Sequence, residues 1–560
     1  MRRLLGLALV AVAVSAATAV NEHAPTGVHI AFGTRDDEMS VTWHTLASNP
    51  GDPTVEFYPG VDDVSESSDA PKVSRVEGST RAFIDGGPER TVRFVHRATL
   101  QNLEPGAIYS YRVGNPATKT WSRLFNFCAK RNKSQISPAK PLKLLALCDQ
   151  GHRESAGVVQ LVAAEVADPA TRPDALIHCG DFAYDLDTYS GRNGDRWLSD
   201  VEPVAAYVPY MTSQGNHERA YNFSHYAERF TMPGHGARTG NAYYSFDLGP
   251  LHVVAFNAEA FFWPEYFDEA YMSRMYEWLV TDLRDANDDR ANTPWVMVHG
   301  HRPMYCVDPK VPDLTPHANK PEFAGVCGWE KQAVRKGVAS ECEDEYAALG
   351  CSASNAREST STRGSSSAAR PRRAGGASLE GFWKASGESS GDFPIEKLLF
   401  DAGVDLYLAG HVHDYERYFP VYDEHVVNGT DVTLGRYVNP GATVHVTSGS
   451  GGNPEMWTEG MSGNKKRPTP RGTCSHRAPW CAFQSGFAPK RTGDGYVYDF
   501  TYSRITVHDD ETLEWEQVSA PSGALAGDGK KAVGEVIDRF VISAATHGPF
   551  ASRGEKIATE

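Results

Sequence analysis

The amino-acid sequence predicts two folded regions, an all-β sandwich at residues 20–129 and an α/β region at residues 141–550. The chain of 560 residues is longer than one average domain, so at least two are expected. Short alternating apolar runs with proline and glycine turns fill the first region, which is typical of a β-sandwich. Apolar runs that alternate with helical patterns fill the second and predict parallel strands joined by helices. A polar linker at residues 130–140 separates the two regions, and residues 551–560 form a tail.

The first region contains strand-like runs and no cluster of metal-binding side chains. The runs are Val28–Phe32, Ser40–Trp43, Arg93–Val95 and Tyr109–Val113. Leu103 is followed by a Pro-Gly turn and then by Tyr109-x-Tyr111, an order that resembles fibronectin type III modules. We therefore expect this region to be a scaffold that forms one wall of a cleft.

Five apolar runs of the second region end in glycine or in polar residues with metal-binding atoms. The runs are Leu142–Leu147, Ala175–Cys179, a run around Tyr207–Met211, Trp295–Val298 and Val404–Ala409. In open α/β sheets, ligands bind outside the carboxyl ends of the strands. We therefore expect the side chains that follow these runs to converge in one cleft. They are Asp149, Asp181, Tyr184, Asn216, His301, His411 and His413.

The connections between the runs contain helical patterns. Ser155–Ala167 is predicted as a helix with Ser155 as its N-cap. In Asp268–Leu283 the apolar residues recur at helical spacing, and Pro394–Asp401 is a short helix opened by proline. Tyr496–Thr506 and Leu513–Val518 are predicted as the strands that close the region.

The seven converging side chains predict a binuclear metal site. Seven oxygen and nitrogen donors are too many for one tetrahedral zinc ion. They suit two octahedral ions with one bridging carboxylate. The phenolate of Tyr184 is a hard anionic donor and favours a trivalent ion such as Fe(III).

The order of the motifs resembles that of the plant-type purple acid phosphatases. The motifs are Asp149-x-Gly151, Gly180-Asp181-x-x-Tyr184, Gly215-Asn216-His217-Glu218, Val298-x-x-His301 and Gly410-His411-x-His413. Generic metallophosphoesterases carry Asp-x-His at the first motif and lack the tyrosine, so Gly151 and Tyr184 indicate the purple subclass. The resemblance covers Thr26 to Phe550 apart from one insertion, and the β-sandwich resembles the family's N-terminal domain. It implies a catalytic domain of two mixed sheets flanked by helices, the α/β metallophosphoesterase sandwich.

The resemblance also implies a ligand set and a reaction. Fe(III) is expected on Asp149, Asp181, Tyr184 and His413. A second ion, Fe(II), Zn(II) or Mn(II), is expected on Asp181, Asn216, His301 and His411, so that Asp181 bridges. The implied activity is hydrolysis of small phosphate monoesters by a hydroxide that the metal ions bind, with His217 as the acid and Glu218 orienting a ligand or His217. A homodimer is left open.

Two rival functions remain open, and so do three histidines. The first rival is a phosphodiesterase or nucleotide pyrophosphatase of the same fold, and the second is a non-catalytic binding protein with a relic metal site. His152 is either a phosphate contact or an exposed loop residue, and His299 is expected to be a strand residue. Plant-type members carry a further histidine pair at the position of residues 308–311, which contain no histidine in this chain. His317 in the same loop is a candidate to take the place of that pair.

The N-terminus predicts export. Arg2 and Arg3 precede the apolar run Leu4–Val14, and Ala17-Thr18-Ala19 fits a cleavage site, so residues 1–19 form a signal peptide. The run is too short to span a bilayer comfortably, and no later stretch is apolar enough to do so. We expect a secreted protein, or one of a vacuolar or lysosomal lumen, with glycosylation at three sequons. They are Asn132, Asn222 and Asn428.

Charge, cysteine content and one insertion complete the prediction. The formal net charge of −16 argues against a nucleic-acid partner. Cys148 and Cys179 are interpreted as small buried apolar residues. Three local disulfides are plausible: Cys306–Cys327, Cys342–Cys351 and Cys474–Cys481. Residues 337–392 form a low-complexity insertion, which is either a lid or regulatory loop, a tolerated surface insertion, or retained intron sequence.

Overall fold

The computed structural model describes thirteen stretches of the chain: residues 21–60, 72–234, 241–307, 334–335, 393–427, 431–433, 435–454, 474, 478–485, 490–492, 495–497, 499–521 and 534–552. The predicted signal peptide, the insertion at 337–392 and Asn428 lie outside the described residues, as do residues 308–311 and His317. Within the described part of the chain, no helix has the length and apolar character that a membrane crossing requires.

The N-terminal region folds into two antiparallel sheets, called here the N-terminal sheets. One has the strand order β1-β2-β6-β5, and the other has the order β4-β3-β7-β8 with β9 also paired to β7. The strands are β1 (Thr26–Phe32), β2 (Met39–Thr45), β3 (Thr54–Pro59), β4 (Ser74–Glu77), β5 (Ser79–Ile84), β6 (Val92–Leu100), β7 (Ile108–Asn115), β8 (Thr120–Trp121) and β9 (Phe125–Cys128). Trp43 and Tyr111 are among their fully buried side chains. The predicted all-β fold is confirmed, with strands longer than the apolar runs that indicated them.

The first large sheet has eight strands in the order β14-β12-β10-β28-β29-β30-β23-β22. Its strands are β10 (Leu142–Leu147), β12 (Ala175–Cys179), β14 (Tyr210–Ser213), β22 (Asp431–Thr433), β23 (Arg436–Val438), β28 (Asp499–Val507), β29 (Thr512–Pro521) and β30 (Glu535–Ser543). β10, β12 and β14 are parallel, and β28 joins β10 antiparallel. The sheet is therefore mixed, as predicted.

The second large sheet has seven strands in the order β15-β16-β17-β18-β24-β19-β25. Its strands are β15 (Tyr244–Leu248), β16 (Leu251–Ala255), β17 (Trp295–His299), β18 (Leu406–Ala409), β19 (Tyr415–Tyr418), β24 (Val444–Ser448) and β25 (Cys481–Gln484). β16, β17, β18 and β24 are parallel, whereas β15 pairs antiparallel with β16, and β19 pairs antiparallel with both β24 and β25. Three short pairs complete the strands: β11 (Gln150–Gly151) with β13 (Phe182–Ala183), β20 (Val421–Tyr422) with β21 (His425–Val426), and β26 (Lys490–Thr492) with β27 (Gly495–Val497).

Helices connect the parallel strands. They are α1 (Ala156–Val166), α2 (Arg192–Ala205), α3 (Ala220–Arg229), α4 (Glu269–Asp288) and α5 (Ile395–Ala402), with 3-10 turns at Lys133–Gln135, Asn216–Glu218, Ala258–Phe261 and Phe550–Ser552. α4 is capped by Asp268, whose side chain accepts a hydrogen bond from the Tyr271 backbone. Ser155 occupies the predicted N-cap position of α1, but its hydroxyl donates to the Gly151 carbonyl at 2.7 Å and caps no backbone N–H of the helix.

One apolar core runs through the N-terminal sheets and the first large sheet. It contains Trp43 of β2, Leu144 of β10, Trp197 of α2 and Trp515 of β29. β1 packs against α2, and the Tyr111 hydroxyl donates to the Ala206 carbonyl at 2.8 Å. A second core lies between the second large sheet and helices α4 and α5. The N-terminal sheets are therefore built into the core of the α/β region.

Two buried histidines differ sharply in their surroundings. His252 lies between Asp247, 2.6 Å from its Nδ1, and Asp282, 3.1 Å from its Nε2. His44 of β2 is buried, and neither of its ring nitrogens has a hydrogen-bond partner within the described residues. His252 is thus paired with negative charge, whereas His44 is not.

The cysteine predictions are partly wrong. Cys148 and Cys179 form a disulfide with their Cα atoms 4.8 Å apart, because β10 and β12 are paired neighbours and their register places Cys148, just after β10, beside Cys179, the last residue of β12. The predicted bridge between Cys474 and Cys481 is confirmed, with Cα atoms 5.7 Å apart. Cys306 is disulfide-bonded. Its predicted partner Cys327 lies outside the described residues, and so does the predicted pair Cys342–Cys351.

Candidate metal centre

The structure brings the seven predicted side chains together where parallel strands of both large sheets end. Asp149, Asp181 and Asn216 follow β10, β12 and β14 of the first large sheet, and His301 follows β17 of the second. His411 and His413 follow β18, and Tyr184 follows Asp181 by three residues. We call this set the donor cluster; its members are Asp149, Asp181, Tyr184, Asn216, His301, His411 and His413.

Asp181 belongs to two groups of side chains within the donor cluster. Its carboxylate and one ring nitrogen each of His301 and His411 lie within 4.8 Å of one another. The same carboxylate also lies within 4.8 Å of donor atoms of Asp149 and His413. A carboxylate shared by two such groups has the arrangement of a ligand that bridges two cations.

Tyr184 belongs to the group of Asp149 and His413. Its hydroxyl oxygen lies 3.2 Å from Asp149 Oδ1 and 3.0 Å from His413 Nε2. His413 Nε2 itself lies 3.5 Å from Asp149 Oδ1. The phenol is therefore part of the cluster, as the spacing of the Gly180-Asp181-x-x-Tyr184 motif predicts.

Asn216 belongs to the other group. Its Oδ1 lies 3.0 Å from His301 Nε2, which is also 3.1 Å from Asp181 Oδ2. His301 Nδ1 lies 2.8 Å from the Cys179 carbonyl oxygen. Because a carbonyl oxygen only accepts hydrogen bonds, the proton of a neutral His301 is on Nδ1. Nε2 is then the lone-pair nitrogen turned toward Asp181, as a metal ligand requires.

The backbone of the donor cluster is strained. Asp149, Asp181, Tyr184 and His411 have φ angles of 60°, 59°, 43° and 68°. Residues with a Cβ rarely occupy this left-handed region, and each such residue costs on the order of 1–3 kcal/mol. Strain that is concentrated at one place in a fold indicates a functional site.

Two glycines of the motifs allow the carboxylates to approach. A Cβ on Gly215 would overlap Asp181 Oδ1 and would lie 2.9 Å from His301 Cε1. A Cβ on Gly410 would overlap Asp149 Oδ2. These motif positions therefore serve close packing around the two acids.

Glu218 supports the backbone beneath Asp181. Its Oε2 accepts from the backbone N–H groups of Asp181 (2.9 Å) and Gly215 (2.8 Å), and its Oε1 accepts from that of Phe182 (2.8 Å). Burial and the nearby Asp181 charge raise the pKa of Glu218 well above its usual value. Of the two roles considered for Glu218, the structure favours orientation of the Asp181 segment, because these contacts hold Asp181 and not the His217 ring.

His217 lies at the edge of the cluster. Its Nδ1 is 2.6 Å from Asp185 Oδ1, and its backbone N–H donates to Asp181 Oδ1 at 2.9 Å. Its ring centroid is 4.3 Å from that of Tyr184. Asp185 and Tyr184 therefore fix the orientation of the imidazole.

Arg302 and Glu259 form a fully buried ion pair beside the donor cluster. Neither residue is among the site residues predicted from the sequence. Arg302 Nε lies 2.8 Å from Glu259 Oε1, and Nη2 lies 3.1 Å from Oε2. Arg302 Nη1 is 2.7 Å from His411 Nε2. Arg302 directly follows His301 in its motif, which is the one signal in the sequence that it borders the site.

The remaining candidate residues lie outside the cluster. His152 Nδ1 contacts the Asp200 carboxylate. His299 is buried with Nδ1 3.3 Å from Ser213 Oγ, and burial lowers the pKa of His299 to about 3, as suits a strand residue. Asn132 and Asn222, the two predicted glycosylation sites within the described residues, are both exposed.

The electrostatics of the cluster suit bound cations. Asp149 and Asp181 are buried at 0% and 1% exposure. Burial raises the pKa of Asp149. Burial lowers the pKa of His301, but the charge and hydrogen bond of Asp181 together with the charges of Asp149 and Glu259 outweigh this and raise it to about 10. Buried carboxylates surrounded by nitrogen, amide and phenol donors fit a pair of cations, which would replace the protons held there.

Three family models match the chain. Residues 25–129 match the purple acid phosphatase N-terminal domain, and residues 151–328 match the calcineurin-like phosphoesterases. Residues 442–530 match the C-terminal part of iron/zinc purple acid phosphatase-like proteins. The matches thus cover the N-terminal sheets and parts of both large sheets.

Individual relatives agree with these models. The chain is 33% identical to acid phosphatase type 7 of Mus musculus over 434 residues, covering 78% of this chain and 79% of that protein. It is 32% identical to acid phosphatase type 7 of Danio rerio over 531 residues, covering 94% and 93%. Purple acid phosphatase PPD1 from yellow lupin seeds has the same fold, with a TM-score of 0.61 and 22% identity over 94% of this chain and 75% of that one.

Proposed function

Because the chain belongs to the purple acid phosphatase family and is a phosphatase, we propose that it hydrolyses small phosphate monoesters at two cations held by the donor cluster. The observation that carries this proposal is the carboxylate of Asp181, which the two groups of donors share. A carboxylate shared by two groups of donors would keep two cations close enough together to bind one phosphoryl group between them.

The contacts within the cluster support a division of the ligands between two ions. Tyr184 contacts Asp149 and His413, which supports one cation on these three residues and Asp181. The phenol favours Fe(III) at this position.

The second cation is proposed on the other group of donors. Asn216 contacts His301, which supports a cation on these two residues together with His411 and Asp181. Fe(II), Zn(II) and Mn(II) all suit this set of carboxylate, amide and imidazole donors.

The two cations would supply positive charge that binds the phosphate oxygens and makes a water molecule acidic near neutral pH. The side chains of the protein hold the metal ligands in position and supply a proton. Glu218 holds the backbone of Asp181, so that its carboxylate stays between the two groups. His217, fixed through Nδ1 by Asp185, would deliver the proton on Nε2 to the departing oxygen of the ester.

We also propose that the protein is exported. The disulfides Cys148–Cys179 and Cys474–Cys481 suit an oxidising compartment. The exposed side chains of Asn132 and Asn222 suit glycosylation in the same compartment. The proposed domain limits are residues 20–129 and 141–550, and the family-model matches at 25–129, 151–328 and 442–530 support them.

Hydrolysis of p-nitrophenyl phosphate by purified variants tests the function. Asp181→Ala removes the shared ligand and His411→Ala a ligand of one group, so each is expected to lower kcat by at least about 1,000-fold. His252→Gln, which lies outside the cluster, is the control and should keep the rate. Full activity in both cluster variants would refute the site, and faster cleavage of bis(p-nitrophenyl) phosphate would favour the phosphodiesterase alternative.

Metal analysis tests the proposed ions. We expect two cations per chain, one of them iron, and a visible absorption band that the Tyr184→Phe variant lacks. If the purified protein contains no iron and shows no visible band, the Fe(III) assignment is wrong and a zinc or manganese centre takes its place.

A further inference from the structure

The first turn of α2 holds the backbone on both sides of Tyr184. Asn193 Nδ2 donates to the carbonyl oxygens of Ala183 at 2.8 Å and of Asp185 at 3.0 Å. The Asn193 side chain is buried, so water does not compete for these bonds. Because Ala183 and Tyr184 have φ angles of 63° and 43°, the two bonds stabilise a conformation that such residues rarely adopt. The position of Asn193 therefore sets the positions of the Tyr184 phenol and of the Asp185 carboxylate.

The loop that leads into α2 is itself strained. Tyr189, Ser190 and Gly191 have φ angles of 55°, 57° and 79°, three left-handed residues in succession. Each of the two residues with a Cβ costs roughly 1–2 kcal/mol in this conformation. Contacts from outside the loop must stabilise it if the first turn of α2 is to stay in place.

Those contacts come from the N-terminal sheets and from Arg229 of α3, which donates to the Gly191 carbonyl at 2.9 Å and to Asp195 Oδ1 at 2.8 Å. Arg93 of β6, whose side chain is 2% exposed, donates from Nη2 to the Ser190 carbonyl and from Nε to Asp195 Oδ1, each at 2.7 Å. The Thr91 hydroxyl also donates to the Ser190 carbonyl at 2.7 Å. A Cβ on residue 191 would lie 2.7 Å from Arg93 Cζ, so the guanidinium packs directly against the loop.

We propose that Arg93 is a positioning residue for the phosphatase reaction. It fixes Ser190 and Asp195, these fix the first turn of α2, and Asn193 in that turn fixes the backbone around Tyr184. This inference rests on the proposed metal centre, of which Tyr184 is a member. It assigns the N-terminal sheets a part in catalysis, since they shape one side of the site without touching the substrate.

Arg131 offers a matched control. Its Nε and Nη2 donate to the two carboxylate oxygens of Asp174, each at 2.6 Å, and its side chain is 17% exposed. Asp174 directly precedes β12, at the end of the strand opposite to Asp181. Arg131→Met therefore removes a comparable arginine–carboxylate pair that joins the linker at 130–140 to the start of β12, at the end of that strand away from Asp181.

The test compares Arg93→Met with Arg131→Met in the full-length protein. We expect both variants to lower the Tm by several degrees. Arg93→Met alone should lower kcat for p-nitrophenyl phosphate by about 10- to 100-fold, with KM within about threefold, because small displacements of catalytic groups cost rates of this size. In metal-free protein, amide hydrogen exchange at residues 183–193 should rise at least tenfold in Arg93→Met and not in Arg131→Met.

Equal kcat losses in the two variants, or a lower Tm with unchanged kcat and unchanged exchange in Arg93→Met, would overturn the proposal. The exchange measurement needs neither cations nor turnover. It therefore decides the role of Arg93 even if the wild-type protein hydrolyses no p-nitrophenyl phosphate, a result that would instead refute the proposed function. If Arg93→Met does not fold, Thr91→Val is the second variant, because it removes the hydroxyl that donates to the Ser190 carbonyl. Unchanged amide exchange and unchanged kcat in Thr91→Val would then overturn the proposal.

A double-mutant cycle tests the route through Asn193. If Arg93 acts through this side chain, Asn193→Ala should lower kcat by a similar factor, and the double variant should be little worse than either single one. Losses of kcat that multiply in the double variant would show that Arg93 does not act through Asn193.

Discussion

Replacing Glu218 by glutamine tests how the protein holds Asp181 in place. The Glu218 carboxylate accepts three backbone N–H groups, those of Asp181, Phe182 and Gly215, at 2.8–2.9 Å. A glutamine amide has the same shape but only one accepting oxygen, so its NH₂ group would face a backbone N–H. Loss of one buried hydrogen bond, with an amide N–H left facing a backbone N–H, and weakening of the other two should lower the free energy of unfolding by about 3 kcal/mol.

The same change should weaken metal binding. Groups that orient metal ligands typically change the affinity by about 10- to 100-fold when they are removed. We expect isothermal titration of metal-free Glu218→Gln with Zn²⁺ or Mn²⁺ to show a loss of this size. Activity on p-nitrophenyl phosphate should fall most at limiting metal, and saturating metal should restore part of it.

Glu56→Gln is the control for this prediction. Glu56 of β3 is buried at 5% exposure and accepts hydrogen bonds from Arg75 and Arg112, within the N-terminal sheets. Its replacement should lower stability while metal affinity stays within about twofold of the wild type. Wild-type affinity in Glu218→Gln, or an equal loss in Glu56→Gln, would refute the reasoning.

Three further predictions concern other parts of the molecule. The two aspartates beside His252 together outweigh its burial and raise its pKa to about 9. The contribution of His252 to the free energy of unfolding is therefore fully present below pH ~6.5 and is lost as pH rises through about 9. His252→Gln should therefore cost about 2 kcal/mol at pH 6 in urea unfolding and almost nothing at pH 10; an equal cost at both pH values would contradict this. Burial lowers the pKa of His44, so the folded state excludes a proton that the unfolded state takes up below pH ~6.5. His44→Leu should raise the Tm more at pH 5 than at pH 7.5. A gain in Tm that does not depend on pH would show that the pKa of His44 is not lowered in the folded state. Gly215→Ala should lower kcat at least about 100-fold, because the added Cβ would displace Asp181; unchanged kcat would show that the loop adapts.

The donor cluster was predictable because each of its members directly follows a strand or belongs to a short motif. Parallel strands bring their carboxyl ends to one edge, so local patterns such as Gly180-Asp181-x-x-Tyr184 and Gly410-His411-x-His413 contain the necessary spatial information. The hydroxyl of Tyr184 lies 3.0 Å from His413, although 229 positions separate the two in the chain.

Pairings between side chains outside the motifs could not be predicted in this way. Glu259 and Arg302 are 43 positions apart, and neither has a pattern that names the other. The bond between Cys148 and Cys179 depends on the register of β10 and β12, which apolar runs alone leave undefined. The position of Ser155 at the N-cap of α1 was predictable, but its hydrogen bond was not, since a serine hydroxyl can also donate to a carbonyl nearby.

The apolar core that runs from the N-terminal sheets into the first large sheet limits how this protein can be divided. A fragment beginning at residue 141 would expose the face of α2 that β1 now covers, together with the apolar core shared with the N-terminal sheets, and would present them to other molecules. Such a fragment should aggregate when produced by itself, although the linker at 130–140 looks in the sequence like a natural place to cut. A single calorimetric transition for the intact chain would follow from the same continuity, with both regions melting as one unit.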